Sequence, residues 1–171
     1  MPGPDRPIVV IGPMGAGKTS VGKKLAKRLG RTFVDTDRVI VRHHGPIAAL
    51  FEEHGEERFR EIERDAVADA LLDPASVISL GGGAVLHPET RERLRGARVV
   101  LLAVTPEAVA ARIQGTDRPL LQHDGLTAWQ EIAERRAPVY ASLADFTVDT
   151  SHRPLVHVVD DIVRWIETEH A

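Results

Sequence analysis

Short runs of consecutive apolar residues alternate along this chain with longer stretches in which apolar positions recur every three or four residues. Ile8-Val-Val-Ile11 is a continuous β-branched run that ends at a glycine, the pattern of a strand buried on both faces. From Gly17 to Leu29, the residues Val21, Leu25, Ala26 and Leu29 fall at helical spacing, with Lys23, Lys24 and Lys27 on other faces and Gly30 as the stop. Further strands are predicted over 32–35, 77–80, 98–104 and 146–149. Helices are predicted over 38–44, 47–72, 88–94, 106–114, 127–143 and 154–169. Thr105-Pro106-Glu107 and His87-Pro88-Glu89 each put a proline where the first turn of a helix accommodates it, and Thr105 adds a capping hydroxyl. Strands that alternate with helices, each strand continuously apolar, predict an α/β fold: a central five-stranded parallel sheet between two helical layers. Ligands of such sheets bind at the carboxyl ends of the strands.

Composition narrows the class. A chain of 171 residues without internal repeats predicts one domain spanning 1–171. Hydrophobic residues at 43% and charged residues at 27% exclude disorder and fibrous repeats. The longest apolar runs, such as Val99–Val104, are far shorter than the roughly 20 residues that cross a bilayer. The first residues show no apolar stretch behind their charges, so a cytoplasmic location is expected. The absence of cysteine removes disulfides, thiolate catalysis and cysteine metal sites. The eight histidines form no H-E-x-x-H pattern, and His43-His44 reads as solvated surface. A net charge of −3 gives no reason to bind nucleic acid or anionic lipid, but it leaves a small anionic ligand open.

One motif carries specific chemistry. Gly12-Pro-Met-Gly15-Ala16-Gly17-Lys18-Thr19 is a complete G-x-x-x-x-G-K-[ST] phosphate loop set between a predicted strand and a predicted helix. Its glycines let backbone N–H groups turn inward around phosphates, the helix start adds partial positive charge, and Lys18 adds a full one. Thr19 is placed to ligate Mg²⁺. The chain has no N-K-x-D tetrad for reading guanine, and the predicted strands over 77–80 and 98–104 run into Gly81 and Thr105 rather than an acidic residue. The metal's acidic partner is therefore sought at Asp35-Thr36-Asp37, where two carboxylates end the second predicted strand. Taken alone, that D-x-D fits helix capping equally well, and Arg60 and Glu63 in Phe59-Arg-Glu-Ile-Glu63 fit a surface i, i+3 pair better than a site.

Together these stretches resemble the shikimate kinase family over nearly the whole chain. The ordered matches are the phosphate loop, then Asp35-Thr-Asp37, then Gly45-x-Ile47-x-x-x-Phe51-x-x-x-Gly55-Glu56-x-x-Phe59-Arg60-x-x-Glu63. Ser79-Leu-Gly81-Gly-Gly83-Ala-Val, Arg118-Pro-Leu-Leu121 and Arg136-Ala-Pro-x-Tyr140 complete the set. Arg42-His43-His44 and the order Thr19-Ser20 depart from the usual family pattern without touching a ligand-binding position. The resemblance implies a P-loop fold of the nucleoside monophosphate kinase type, with a short lid about 114–125 and substrate-binding helices about 36–63. It implies transfer of the ATP γ-phosphoryl group to the 3-hydroxyl of shikimate, with Mg²⁺ as cofactor, in a monomer with neither nucleic-acid nor membrane partner.

Residue roles follow from the same resemblance. Lys18, Asp37 and Arg118 would be catalytic, and Thr19 and Asp35 would hold the metal. Gly15, Ala16, Gly17, Lys18, Thr19, Ser20, Arg112, Arg118 and Arg153 would bind ATP. Asp37, Arg60, Gly82 and Arg136 would bind shikimate, the arginines as planar forks on its carboxylate. Phe51 and Phe59 would wall the pocket, whereas Trp129, Tyr140 and Trp165 read as core. Three other readings compete: a gluconate kinase of the same fold, a nucleoside monophosphate kinase, and a catalytically silent nucleotide-binding module. The first needs no Arg60 and Arg136 pair, and the second needs further arginines and a larger lid. Joint retention of Asp37, Arg60, Gly82, Arg118 and Arg136 argues against the third.

Overall fold

A computed structural model describes residues 5–113 and 125–169. Five strands, β1 (Ile8–Ile11), β2 (Thr32–Asp35), β3 (Ser76–Ser79), β4 (Arg98–Ala103) and β5 (Phe146–Asp149), form one sheet in the order β2-β3-β1-β4-β5. Every pairing is parallel, with Ile8 beside Val77 on one side and Arg98 on the other. The helices are α1 (Lys18–Leu29), α2 (Thr36–His44), α3 (Ile47–Ala70), α4 (Pro88–Arg93), α5 (Pro106–Ile113), α6 (Gly125–Leu143) and α7 (Leu155–Glu169).

Side chains of a strand alternate between faces, and in β1 both faces are apolar because both are covered. Ile8 and Val10 join Val77, Val100 and Leu102 beneath Val21 and Leu25 of α1 and Val158, Val159 and Ile162 of α7. Val9 and Ile11 join Ile78 and Val99 on the opposite face, packed against Val67 of α3 and Tyr140 of α6. The expected three layers are thus formed, and the strands run within a residue or two of their predicted bounds.

Two helices differ from expectation in ways that shape the site. The sequence predicts an unbroken helix from residue 47, but Gly55 has φ 79° and ψ 170° and divides α3 at that point. Glycine tolerates this conformation at little steric cost, and the break brings Phe51 of the first half within 4.7 Å of Phe59 of the second, centroid to centroid. Helix α2 begins at Thr36, two residues earlier than predicted, because Asp35 caps it: its Oδ1 accepts from the amides of Asp37 at 3.0 Å and Arg38 at 3.3 Å. The predicted cap at Thr105 is present, with Oγ1 accepting from Ala108 N at 3.2 Å, and His87 Nδ1, not foreseen as a cap, accepts from Glu89 N. No helix among the described residues is long and apolar enough to cross a membrane.

Candidate active site

Because all five strands are parallel, their carboxyl ends share one edge of the sheet, and a cleft of about 520 Å³ opens there. The loop after β1, the end of β2 and the glycines after β3 line its floor, and Phe51, Phe59 and Arg60 of α3 line a wall. Lys18, Thr19, Ser20, Gly15, Gly17, Asp35, Asp37, Glu63, Gly82, Arg112 and Arg136 all reach it. The structure therefore gathers most of the residues singled out in the sequence from six separate segments. Ala16 is buried beneath the loop. Arg153 pairs instead with Asp161 of α7, Nη2 to Oδ2 2.8 Å, and Arg118 lies outside the described residues.

Buried backbone carbonyls need donors. This loop's carbonyls are met one after another by side chains. Lys18 Nζ donates to Gly12 O at 2.8 Å and Pro13 O at 3.0 Å. Trp129 Nε1 donates to Met14 O at 2.7 Å, Arg112 Nη1 to Gly15 O at 2.7 Å, and Thr150 Oγ1 to Ala16 O at 3.0 Å. Arg112 also donates to the carbonyl of Thr150, which ties α5 to the end of β5. Gly17, with φ 92°, then turns the chain into α1.

Asp35 serves two purposes that the sequence left as alternatives. One oxygen caps α2, while the other, Oδ2, accepts the hydroxyl of Thr19 at 2.9 Å. The helix cap and the contact to the phosphate loop are thus the same side chain. Arg60 and Glu63 are not the surface pair that their spacing suggests. Arg60 Nη1 lies 2.8 Å from Glu63 Oε1, and Glu63 is only 3% exposed. Burial raises the carboxyl of Glu63 above the usual range against the opposing pull of Arg60. Burial also raises Asp37, with the Asp35 charge adding to it, while Lys18 and Arg60 pull the other way.

The three glycines after β3 each leave room for a different side chain. A Cβ on Gly81 would lie 2.5 Å from Asp37 Oδ1, one on Gly82 3.1 Å from Arg136 Nη1, and one on Gly83 2.5 Å from Arg60 Nη1. The triplet is thus a strip of bare backbone against which one carboxylate and two guanidinium groups close. Such an arrangement can hold an anion through the guanidiniums and orient a hydroxyl at the carboxylate, beside the phosphate loop, whose Gly12 O lies 3.8 Å from where a Cβ on Gly82 would be.

Sequence reasoning missed Thr150, Trp129 and Tyr140 as parts of the site. The last two share a stripe of α6 with Ala133 and Arg136, at i, i+4, i+7 and i+11. A charged residue in the middle of that stripe is the signal that could have shown this face to meet a binding site rather than plain core. Among the described residues no group of three or more His, Cys, Asp or Glu that could hold an ion occurs.

Comparison with known proteins gives a consistent picture. Residues 14–167 match the family model described as shikimate kinase. The chain is 46% identical to a shikimate kinase of Thermobifida fusca, covering 87% of this chain and 89% of that one. It is 40% identical to one of Streptomyces coelicolor, covering 96% and 97%. Its structure resembles a shikimate kinase from Acinetobacter baumannii solved in complex with shikimate, with a TM-score of 0.88, 34% identity and coverage of 96% and 94%. A gluconokinase from Sinorhizobium meliloti, at 22% identity and a TM-score of 0.70, shares the fold. With its nucleoside monophosphate kinase-like P-loop architecture and this match along nearly its full length, the chain belongs to the shikimate kinase family.

Proposed function

We propose that this protein transfers the γ-phosphoryl group of ATP to the 3-hydroxyl of shikimate, giving shikimate 3-phosphate and ADP on the route to aromatic amino acids. The observation that carries this reading is the convergence of Arg60, Arg136 and Asp37 on one glycine strip at the far end of a cleft floored by the phosphate loop. Two guanidinium groups suit a carboxylate, and a nearby carboxylate suits a ring hydroxyl. A nucleoside monophosphate has no carboxylate for that pair to hold, and a gluconate kinase would not need both arginines.

In this reading Arg60 and Arg136, with the N–H of Gly82, hold the acceptor's carboxylate and so fix the ring. Asp37 orients the 3-hydroxyl and takes its proton as the oxygen attacks the γ-phosphorus. The bond from that phosphorus to the β–γ bridging oxygen breaks, and ADP leaves. The raised affinity of Asp37 for a proton favours that role. The amides of Gly15, Gly17, Lys18, Thr19 and Ser20 cradle the phosphates, Ala16 N gives up its bond to Pro13 O (3.2 Å) to join them, and the Lys18 ammonium exchanges its loop carbonyls for phosphate oxygens. Arg118 adds charge at the migrating group. Arg112, hydrogen-bonded to the carbonyls of Gly15 and Thr150, and Arg153, paired with Asp161, flank the adenine.

Thr19 Oγ1 and Asp35 Oδ2 fit Mg²⁺, since both are hard oxygen donors side by side at the phosphate loop. When bound, the ion neutralises charge on the phosphates. In the same reading the chain acts as one domain over 1–171, a cytoplasmic monomer with acceptor-binding helices about 36–63; the lid expected about 114–125 lies outside the described residues but for Gly125. The reading is tested by coupled ADP release with ATP and Mg²⁺, comparing shikimate, gluconate, nucleoside monophosphates and no acceptor, with Lys18→Ala as blank. Turnover that requires shikimate supports it. ATP binding without turnover on any acceptor would favour a silent nucleotide-binding module.

A further inference from the structure

The glycine strip after β3 needs to be rigid to position anything, yet glycine is the residue with the most backbone freedom to lose. Two of its carbonyls are held by the short helical turn that follows it: Ala84 N donates to Gly81 O at 3.0 Å, and Leu86 N to Gly83 O at 3.1 Å. The middle carbonyl points the other way. Gly82 O is met by the hydroxyl of Tyr140 at 2.6 Å. That hydroxyl also lies 3.3 Å from Gly12 O, the first carbonyl of the phosphate loop, which already accepts from Lys18 at 2.8 Å. Tyr140 is the only tyrosine in the chain and is 3% exposed. Burial raises its phenol above the usual range, against a lowering by Arg136, so it stays a donor.

Tyr140 stands one helical turn beyond Arg136 on the same face of α6, and both reach Gly82. A Cβ on that glycine would meet Arg136 Nη1 at 3.1 Å and Tyr140 Oη at 3.7 Å. The helix therefore delivers a guanidinium to the acceptor end of the cleft and, one turn on, a hydroxyl that fixes the backbone beside it. We infer that Tyr140 is a positioning residue for acceptor binding: its hydroxyl pins the Gly82–Gly83 peptide and so presents the glycine strip, with Arg136, to the acceptor's carboxylate.

This inference rests on the proposed acceptor site, and the test separates the two. Tyr140→Phe keeps the ring and its packing and removes only the hydroxyl. Gly12 O keeps Lys18 as a donor, whereas Gly82 O loses Tyr140, so the effect should fall on one substrate. In steady-state assays of the full-length protein, KM for shikimate should rise about fivefold to tenfold, the scale of one lost hydrogen bond to a buried carbonyl. KM for ATP should stay within twofold, and kcat should fall less than threefold. Calorimetric titration of shikimate should show the same loss of affinity, and Tyr140→Phe combined with Arg136→Lys should cost less than the two changes separately. A general loss of packing would move both KM values together, so equal shifts would overturn the inference. So would an unchanged KM for shikimate in a variant that melts at a lower temperature. If the wild-type protein does not phosphorylate shikimate at all, the functional reading fails before the variant is made.

Discussion

A side chain cannot be added to Gly83 without displacing Arg60: a Cβ there would lie 2.5 Å from Nη1 and 2.6 Å from Nη2. The guanidinium is paired with Glu63 at 2.8 Å, so moving it aside strains that pair and shifts it in the cleft. Gly83→Ala should therefore act as a lesion of acceptor binding although it removes no functional group. A displacement of about 1 Å in a positioning group can cost roughly 10²-fold. A loss of that order in kcat/KM for shikimate is expected, with KM for ATP nearly unchanged, and both are read from steady-state kinetics.

Asp37 is predicted to trade stability for catalysis. Its proton affinity is raised in the folded chain, first by burial, so the native state holds a proton to higher pH than the unfolded state does. By linkage, this group's contribution to stability falls as pH rises through the interval between its unfolded and folded pKa values. At neutral pH the charge is a net cost. Asp37→Asn should then melt at a higher temperature than wild type at pH 7 in metal-free buffer. The difference should fade below about pH 4, where the unfolded carboxyl also protonates. The same variant should lose about 10²-fold or more in kcat, the scale of a missing general base. Melting curves across pH, set beside turnover at pH 7, check both halves.

Thr150 should matter to the nucleotide without needing to touch it. Its hydroxyl donates to the carbonyl of the buried Ala16 at 3.0 Å. Thr150→Val keeps the shape and strands that carbonyl, a cost of about 1–3 kcal/mol. For a chain of this length, that lowers Tm by roughly 5 °C. In the proposed function the loop held by this bond supplies the phosphate-binding amides, so ATP affinity should weaken severalfold by calorimetry while shikimate affinity holds.

Much of the fold was legible because its physics is local. Ile8–Ile11 is apolar on both faces because both faces are covered, and Gly12 to Thr19 announces its own loop. The kink at Gly55 was less visible, since a glycine inside a helical pattern does not say whether it bends the chain. The division of labour at the site depends on contacts between residues far apart in sequence. Nothing near Thr150 points to Ala16, 134 positions away, and nothing near Trp129 points to Met14. Asp35 shows the same limit differently: capping and contact with Thr19 read as competing roles until two oxygens of one carboxylate are seen to serve both.

Arg136 is predicted to act through geometry as well as charge. Lysine keeps the charge but offers a point donor in place of a planar fork. Arg136→Lys should raise KM for shikimate by about tenfold and Arg136→Ala by up to about 10²-fold, corresponding to roughly 1.5–3 kcal/mol for hydrogen bonds to a charged group. ADP binding, followed by calorimetry, should remain within twofold in both. Equal weakening of ADP would place Arg136 on the nucleotide side.

The most direct test of the whole account is to identify the product atom by atom. Phosphorus–proton correlation spectroscopy of a reaction containing ATP, Mg²⁺ and shikimate shows which ring carbon bears the new phosphate. With the carboxylate clamped by Arg60 and Arg136 and the hydroxyl oriented by Asp37, the phosphorus should couple to the proton on carbon 3 alone. A phosphate on another hydroxyl, or consumption of ATP with no phosphorylated shikimate, would contradict the account.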